Sequence, residues 1–164
     1  MSGFDYDENG EMGKTGRTNP ELLKVLLNDD YILRDHPKSI DNSWIKEQWI
    51  PKMLLFNLST EDYLRTHYQF IAQLIANICD RKNSKILFSG GGAKNKFLFQ
   101  ILENELKNNQ EIVIPDQEII AFKECILMAY MAYKRIKEEC NFISSATGAR
   151  HDSCGGAVHI YKNE

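Results

Sequence analysis

Hydrophobic residues recur at every third or fourth position in three long segments, and this spacing predicts three amphipathic helices. They run over residues 60–80, 95–107 and 116–138. The first has a strong start, because Ser59 can cap it and acidic residues occupy its first turn. We expect one side of each helix to face a hydrophobic core. The positions on these sides are Leu64, His67, Phe70, Ile71, Leu74, Ile75 and Ile78; Phe97, Leu98, Ile101, Leu102 and Leu106; and Ile119, Ile120, Phe122, Ile126, Leu127, Tyr130, Tyr133 and Ile136.

Short apolar segments next to these helices predict β-strands. Residues 85–89 lie before a glycine-rich turn and are predicted to form a buried strand, and residues 111–114 end at Pro115. Residues 157–160 allow a further short strand. The alternation of helices and strands predicts an α/β fold with parallel strand pairing. So few strands in a chain of 164 residues indicate part of a larger sheet.

The first part of the chain contains short elements and many turns. A turn that suits a hairpin is predicted at Asp7-Glu8-Asn9-Gly10, and a short helix is predicted after Asn19. Pro51 is predicted to interrupt any helix around it. We therefore expect a turn-rich segment at 1–58 and an α/β core at 59–164, within a single compact unit.

Composition places the chain among ordinary globular proteins, with 43% hydrophobic and 26% charged residues. A disordered chain is excluded, and the apolar runs are too short for a membrane span. The net charge of −3 and the pI near 5.8 argue against a protein that binds nucleic acid through bulk positive charge. The acidic start has no signal-peptide pattern, which predicts a cytoplasmic protein with Cys79 and Cys125 as buried free thiols.

The most informative short motif is Gly90-Gly91-Gly92-Ala93-Lys94-Asn95, between a predicted strand and a predicted helix. Consecutive glycines let a ligand approach backbone N–H groups, and the positive end of the following helix favours an anion. The motif therefore predicts a site for the phosphates or ribose of a nucleotide, and the alternative is a tight turn without a ligand. No P-loop string exists in the chain, and Asn95 stands where the dinucleotide fingerprint needs its third glycine.

The histidines and cysteines near the end of the chain give a much weaker signal. The spacing of His151, Cys154 and His159 fits no standard zinc pattern, so no metal site is predicted there.

Several motifs together resemble the anhydro-N-acetylmuramic acid kinase family of the actin-like sugar-kinase ATPase superfamily. The glycine motif resembles the family's G-G-G-A-x-N segment, and the match covers nearly the whole chain from about residue 4, in one order. The other similar segments are Tyr6-Asp7-Glu8-Asn9-Gly10 with Gly16 and Asn19, Pro37-Lys38-Ser39, Ile114-Pro115-Asp116, Phe122-Lys123-Glu124-Cys125, and Ser144-Ser145-Ala146-Thr147-Gly148-Ala149 followed by Gly155-Gly156.

The resemblance implies the C-terminal part of an actin-like (ribonuclease H-like) ATPase domain, with an incomplete sheet flanked by helices. Family members use ATP and Mg²⁺ to open the ring of 1,6-anhydro-N-acetylmuramic acid and phosphorylate its 6-hydroxyl, during peptidoglycan recycling in amino sugar metabolism. Glu124 carries over as the glutamate near the sugar, and the alternative is a solvated acid in the first turns of a helix. Thr147 and Gly148 carry over as residues that shape a loop, and the alternative is a direct contact with the ligand. The implied nucleotide-binding residues are Gly90, Gly91, Gly92, Ala93 and Asn95.

The chain also departs from the family pattern. It lacks the family's M-S-G-T-S-x-D phosphate loop and the D-T-G-P-G-N segment with the catalytic aspartate. We therefore expect a C-terminal half, with no catalytic residue of its own, that does not catalyse the family reaction alone. One alternative is a non-catalytic interaction protein that pairs with a separate N-terminal half or with itself. A nicotinamide-binding module is disfavoured by Asn95.

Overall fold

The computed structural model describes residues 6–35, 40–79, 81–107 and 109–159. Pro37-Lys38-Ser39, part of one predicted motif, lies outside the described residues, as does Ile160. The chain divides into two compact units, Met1–Pro115 and Asp116–Glu164. This boundary differs from the division expected at residue 58, which stays a prediction.

Short and long helices dominate both units, and the strands are short. The described part of the first unit contains a 3-10 helix (Glu8–Gly10), α1 (Glu11–Thr15), α2 (Pro20–Leu27), α3 (Asp30–Leu33), α4 (Asn42–Trp44), a π-helical turn (Ile45–Trp49), α5 (Ile50–Leu54), α6 (Thr60–Ile78), strand β1 (Lys85–Leu87), a second 3-10 helix (Gly91–Lys94), α7 (Lys96–Glu105) and strand β2 (Glu111–Val113). The described part of the second unit contains α8 (Gln117–Ile136) and α9 (Ser144–Thr147).

Side-chain caps begin the helices that the hydrophobic spacing predicts. The Ser59 hydroxyl accepts the Asp62 N–H at 3.1 Å before α6. The Asp116 carboxylate accepts the Ile119 N–H at 2.9 Å before α8. Each cap satisfies a donor that the first helical turn leaves without an intrahelical partner. The three long helices are thus confirmed, with bounds within about two residues of those expected.

The two strands pair in parallel, as the alternation of elements predicts. Lys85 lies opposite Glu111, and Leu87 lies opposite Val113. The prediction of a buried first strand is wrong, because Leu87 is 68% exposed in the sheet of two strands that the described residues form. At 157–159 the structure has no strand, and the rest of that predicted strand lies outside the described residues.

Helix α6 separates two hydrophobic clusters in the first unit. On one side, Tyr68 and Ala72 pack with residues of α7, among which Leu102 is fully buried. On the other side, Phe70 packs with Trp49 and with α2. Both sides of α6 are therefore covered, which makes this helix the centre of the first unit.

Two local predictions in the first unit are wrong. The expected hairpin turn at residues 7–10 is a 3-10 helix that leads into α1, and Gly10 has a φ of 77°. Pro51 does not interrupt the helical path, because the π-helical turn and α5 run on through it. Proline lacks a backbone N–H, and here the wide turn lies directly before it, with Ile50 N–H donating to the Ile45 carbonyl.

The second unit leaves most of its longest helix exposed. The side of α8 expected to face a core is exposed, and its residues Ile119, Phe122, Ile126, Tyr130, Tyr133 and Ile136 are between 46% and 69% accessible. The expectation of buried thiols is wrong for Cys125, which is exposed, and Cys79 is half-buried. In the part of the chain that the structure describes, no helix combines the length and apolar character that a membrane span needs.

Candidate functional site

A cleft of about 660 Å³ opens beside the glycine motif in the first unit. Two segments that are far apart in the sequence form it. One is the turn at residues 6–9, and the other contributes Gly91, Gly92, Lys94 and Asn95, with Tyr68 of α6 between them. The structure thus places the predicted nucleotide-binding residues Gly91, Gly92 and Asn95 around one cavity of a size that suits a small molecule.

The backbone of the glycine motif forms a tight 3-10 turn between β1 and α7. Gly90 has a φ of 90° and a ψ of −176°, a conformation that only glycine adopts readily. The Ala93 N–H donates to the Gly90 carbonyl, and the Asn95 N–H donates to the Gly92 carbonyl, both at 3.1 Å. These two bonds hold the loop in shape without help from a ligand.

Asn95 ends the loop and begins α7. Its side-chain Oδ1 accepts the Leu98 N–H at 2.9 Å, which is the geometry of an N-cap. The start of α7 therefore lies at the cleft, and the free N–H groups of its first turn give that place a partial positive charge. Lys94 is exposed at the same place and adds a full positive charge.

Packing explains why glycine stands at positions 10 and 13, but it does not explain the glycines at positions 91 and 92. A Cβ atom on Gly10 would lie 2.5 Å from Asn95 Oδ1, and a Cβ on Gly13 would overlap the Tyr68 ring. A Cβ on Gly91 or Gly92 would meet nothing within 4 Å. Packing within the protein therefore requires Gly10 and Gly13 to be glycine, whereas Gly91 and Gly92 leave open space on the cleft side.

Asp7 anchors the opposite wall of the cleft. Its Oδ1 accepts the Met12 N–H at 2.8 Å, and its Oδ2 accepts the Gly13 N–H at 2.9 Å. The same Oδ2 accepts the hydroxyl of Tyr68 at 2.8 Å. The Asp7 carboxylate therefore links two backbone N–H groups of α1 to the Tyr68 hydroxyl on α6.

The hydroxyl of Tyr68 stays protonated over the whole physiological range. Burial raises its pKa to about 12, and the hydrogen bond to Asp7 adds to the increase, while a hydrogen bond with the Asn95 side chain works against it. Neither Tyr68 nor Asp7 is among the residues predicted for the site. Tyr68 lies on α6 beside the recurring apolar positions Leu64 and Ile75, and its partner Asp7 is 61 residues away in the sequence, so the sequence holds no local signal of their contact.

The remaining predicted residues lie in the second unit. Glu124 is exposed on α8, and its expected role near a sugar stays a prediction. Thr147 ends α9, and Gly148 follows with a left-handed φ of 72°. The Asp152 carboxylate accepts both the N–H and the hydroxyl of Ser144, and these bonds lower the pKa of Asp152. They fix the start of α9.

A family model for anhydro-N-acetylmuramic acid kinase matches residues 1–161. The chain belongs to the anhydro-N-acetylmuramic acid kinase family. This confirms the resemblance that the glycine motif and the later signatures carry.

Curated members of this family are similar to nearly the whole chain. The anhydro-N-acetylmuramic acid kinase of Sulfurimonas denitrificans is 32% identical over 96% of this chain and 46% of its own length. The protein of the same name from Sulfurovum sp. (strain NBC37-1) is 35% identical over 94% of this chain and 44% of its own length. That from Hydrogenovibrio crunogenus is 30% identical over 93% of the chain. The chain spans about half the length of the curated relatives it matches.

Proposed function

We propose that this chain forms the ATP-binding part of an anhydro-N-acetylmuramic acid kinase, with the glycine-motif cleft as the nucleotide site. The observation that supports this most directly is the open space over Gly91 and Gly92, because the protein's own packing does not need glycine there. A bound phosphate or ribose would need that space. The chain also belongs to a family of kinases, and an open cleft beside the glycine motif agrees with the binding of a nucleotide that kinase chemistry needs.

The residues of the cleft fit a nucleotide with its metal ion. The loop from Gly91 to Lys94 and the capped start of α7 would face the phosphates, and the Lys94 ammonium would balance part of their charge. Bound Mg·ATP would supply the phosphoryl group and the metal charge that neutralises it. Because both oxygens of Asp7 accept protein donors, we expect Mg²⁺ to be held mainly by phosphate oxygens and water.

We further propose that the complete reaction is ATP-dependent ring opening and 6-phosphorylation of 1,6-anhydro-N-acetylmuramic acid, with Glu124 near the sugar. Activation of the attacking water needs a carboxylate base. The D-T-G string that carries this base in the family does not occur in the sequence. Turnover would therefore need a polypeptide with that aspartate, and the fold of this chain would be the C-terminal part of an actin-like domain.

The binding of Mg·ATP to the purified chain tests the nucleotide site. Isothermal titration should give saturable binding, and Gly91→Val and Gly92→Val should abolish it by filling the space over the loop. Both variants should fold, because nothing lies within 4 Å of the new Cβ atoms. Ala121→Val, on the exposed surface of α8, is the matched control and should bind like the wild type. Absence of wild-type binding, or unchanged binding by both glycine variants, would refute the proposal.

A second candidate function, assembly with another polypeptide, is favoured by the exposed apolar strip of α8. We define this strip by its residues Ile119, Phe122, Ile126, Tyr130 and Tyr133, which share one side of the helix. An apolar strip of this length on a helix normally lies against a partner. Since the relatives are about twice as long, we propose that the covering polypeptide corresponds to the half of the kinase that this chain does not match.

Association between the chain and that half tests the second candidate. The unmatched half of the Sulfurimonas denitrificans relative is a suitable partner for analytical ultracentrifugation. The double variant Phe122→Ser/Tyr130→Ser should weaken the complex by about tenfold or more. Met128→Ser removes exposed apolar surface from another side of α8 and should leave it intact. Self-association of the chain through the strip would identify a second copy as the occupant instead and contradict the proposed partner.

A further inference from the structure

Two segments that flank α9 meet in an antiparallel β-bridge in the second unit. Phe142 pairs with Ser153 there: the Phe142 N–H donates to the Ser153 carbonyl at 3.0 Å, and the Ser153 N–H donates to the Phe142 carbonyl at 2.9 Å. The N–H of Asn141, one residue earlier, donates to the same Ser153 carbonyl at 3.1 Å. Two consecutive residues thus oppose a single residue, which is the arrangement of a β-bulge.

The bulge sets the register of the residues beside it. Because it adds one residue to the first segment, Cys140 rather than Asn141 lies opposite Cys154. In an antiparallel ladder the pair next to a hydrogen-bonded pair is not itself hydrogen-bonded, and the Cα atoms of such a pair are about 4.5 Å apart. Disulfides join residues whose Cα atoms are about 4.4–6.8 Å apart. The spacing expected for the two cysteines therefore suits a disulfide bond.

Hydrogen bonds on both sides of Cys154 hold it in this register. Ser153 is fixed by the bridge. Gly155 is bound twice by the Asn141 side chain: its N–H donates to Asn141 Oδ1 at 2.8 Å, and its carbonyl accepts a hydrogen bond from Asn141 Nδ2 at 3.1 Å. The same amide nitrogen donates to the Met131 carbonyl of α8 at 3.1 Å. The segment around Cys154 is thus attached to Asn141 and, through it, to the last turns of α8.

The two cysteines lie on the outer side of this pair of segments. On the inner side, Asn141, Phe142 and Gly155 line a cavity with residues of α8. The Phe142 ring lies over Gly155, where a Cβ atom would be 2.4 Å from it. Cys140 and Cys154 are both exposed free thiols. Because opposite residues of an antiparallel pair share one face, the two thiols are close to each other and open to reagents in solution.

We propose that Cys140 and Cys154 are a redox modification site, in which a low-molecular-weight disulfide oxidises the two thiols to an intramolecular disulfide that closes the loop containing α9. The thiolate of one cysteine attacks the reagent, forms a mixed disulfide and releases one thiol. The thiolate of the other cysteine then attacks the sulfur of the first and releases the second thiol. The two cysteines lose two electrons and two protons in total, and the reagent is reduced to two thiols. This site is independent of the proposed nucleotide cleft, which belongs to the first unit.

Oxidation of the purified chain with increasing concentrations of oxidised glutathione tests the pairing. Trypsin separates the four cysteines into different peptides, so mass spectrometry after blocking of the free thiols identifies what each cysteine has joined. The link between Cys140 and Cys154 should form at a concentration at least about tenfold below that which modifies Cys125, because an intramolecular partner has a high effective concentration. Separate glutathione adducts on Cys140 and Cys154 without the link would overturn the proposal.

Cysteine variants and the unfolded chain show whether the fold causes the pairing. Cys140→Ser and Cys154→Ser should each abolish the link, whereas Cys125→Ser removes another exposed thiol of the second unit and should leave it unchanged. Cys140 is 15 residues from Cys125 and 14 residues from Cys154, so in concentrated urea the two possible links should form in similar amounts. In the folded chain the link to Cys154 should exceed the link to Cys125 by about tenfold or more. Similar amounts in the folded chain would refute the proposed register.

The disulfide should also restrict the loop that contains α9. The Gly148 N–H donates to the Ser144 carbonyl at 2.8 Å, and its hydrogen exchange reports the opening of this loop. This exchange should slow by about fivefold or more in the oxidised chain, both in the wild type and in Cys125→Ser, and dithiothreitol should restore the original rate. An unchanged rate in the oxidised chain would contradict the closing of the loop.

Discussion

Helices α6 and α8 have similar lengths and similar sequence patterns but very different surroundings. They contain 19 and 20 residues, and in both the hydrophobic positions recur with helical spacing. Helix α6 has buried residues on both of its sides. In α8, Ile120 alone is buried among the residues that the structure describes. Periodicity therefore predicts that a helix forms and which side is apolar, but what covers that side depends on other segments of the protein.

The energetic consequence of this difference is large. Complete burial of one large apolar side chain contributes about 1.5–3 kcal/mol. Helix α6 gains such contributions from two clusters, one with α7 and one with α2 and Trp49. The side chains of the exposed strip on α8 bury little apolar surface in the structure described. Shortening an apolar side chain should therefore lower the free energy of unfolding much more in the two clusters around α6 than in this strip.

The largest expected effect comes from shortening a buried side chain in the α6–α7 cluster. Leu102→Ala should lower the free energy of unfolding by about 2–5 kcal/mol, because Leu102 is fully buried and the cavity is not refilled. Ile126→Ala on α8 is the matched change, and at 56% exposure it should cost less than about 0.5 kcal/mol. Urea unfolding measures both, with far-ultraviolet circular dichroism as the signal. Similar costs would contradict the difference drawn between the two helices.

An intermediate effect is expected from the glycines that flank the cleft. Gly10→Ala should destabilise the first unit by about 1–3 kcal/mol, because Gly10 has a φ of 77° and its new Cβ would press on Asn95 Oδ1. Gly91→Ala should change stability by less than about 0.5 kcal/mol, since nothing lies near that Cβ. The fluorescence of Trp44 and Trp49, the two tryptophans of the chain and both in the first unit, reports this unfolding. Comparable losses in the two variants would mean that packing also restricts Gly91.

The smallest expected effect is a pH dependence that only the first unit should show. His67 Nε2 accepts the Trp49 indole N–H at 3.2 Å, so Nδ1 carries the proton and donates to the Tyr63 carbonyl at 2.9 Å. Burial lowers the pKa of His67 below its ordinary value of 6.5, although the bond to Tyr63 works against this. Below 6.5 the unfolded chain binds the proton more readily, so stability should fall as the pH falls towards the lowered native pKa.

Tryptophan fluorescence during urea unfolding at several pH values measures this dependence. His67→Gln should flatten the profile, because glutamine does not titrate. His151→Gln, in the exposed part of the second unit, should keep the wild-type profile. A profile that is unchanged in His67→Gln would assign the pH dependence to other groups.

Much of the fold was predictable because its signals are local. Caps such as Ser59 and Asp116 lie within three residues of the N–H groups that they accept, and the glycine motif lies directly between β1 and α7. The contact between Asp7 and Tyr68 was not predictable, since it depends on how α1 packs against α6. The exposure of α8 was not predictable either, because its exposed strip has the hydrophobic spacing of a helix that packs against a core.

The β1–β2 pair also has a consequence for how the protein behaves at high concentration. Within the described ranges, each strand has one neighbour and so presents free N–H and C=O groups along its outer edge. Such edges can template the addition of strands from other molecules, which leads to aggregation. The ion pair between Lys85 and Glu111, at 3.1 Å on the first pair of the sheet, places charges of both signs there and disfavours edge-to-edge growth. High salt weakens that protection, so concentrated stocks should remain colloidally stable longest at low ionic strength.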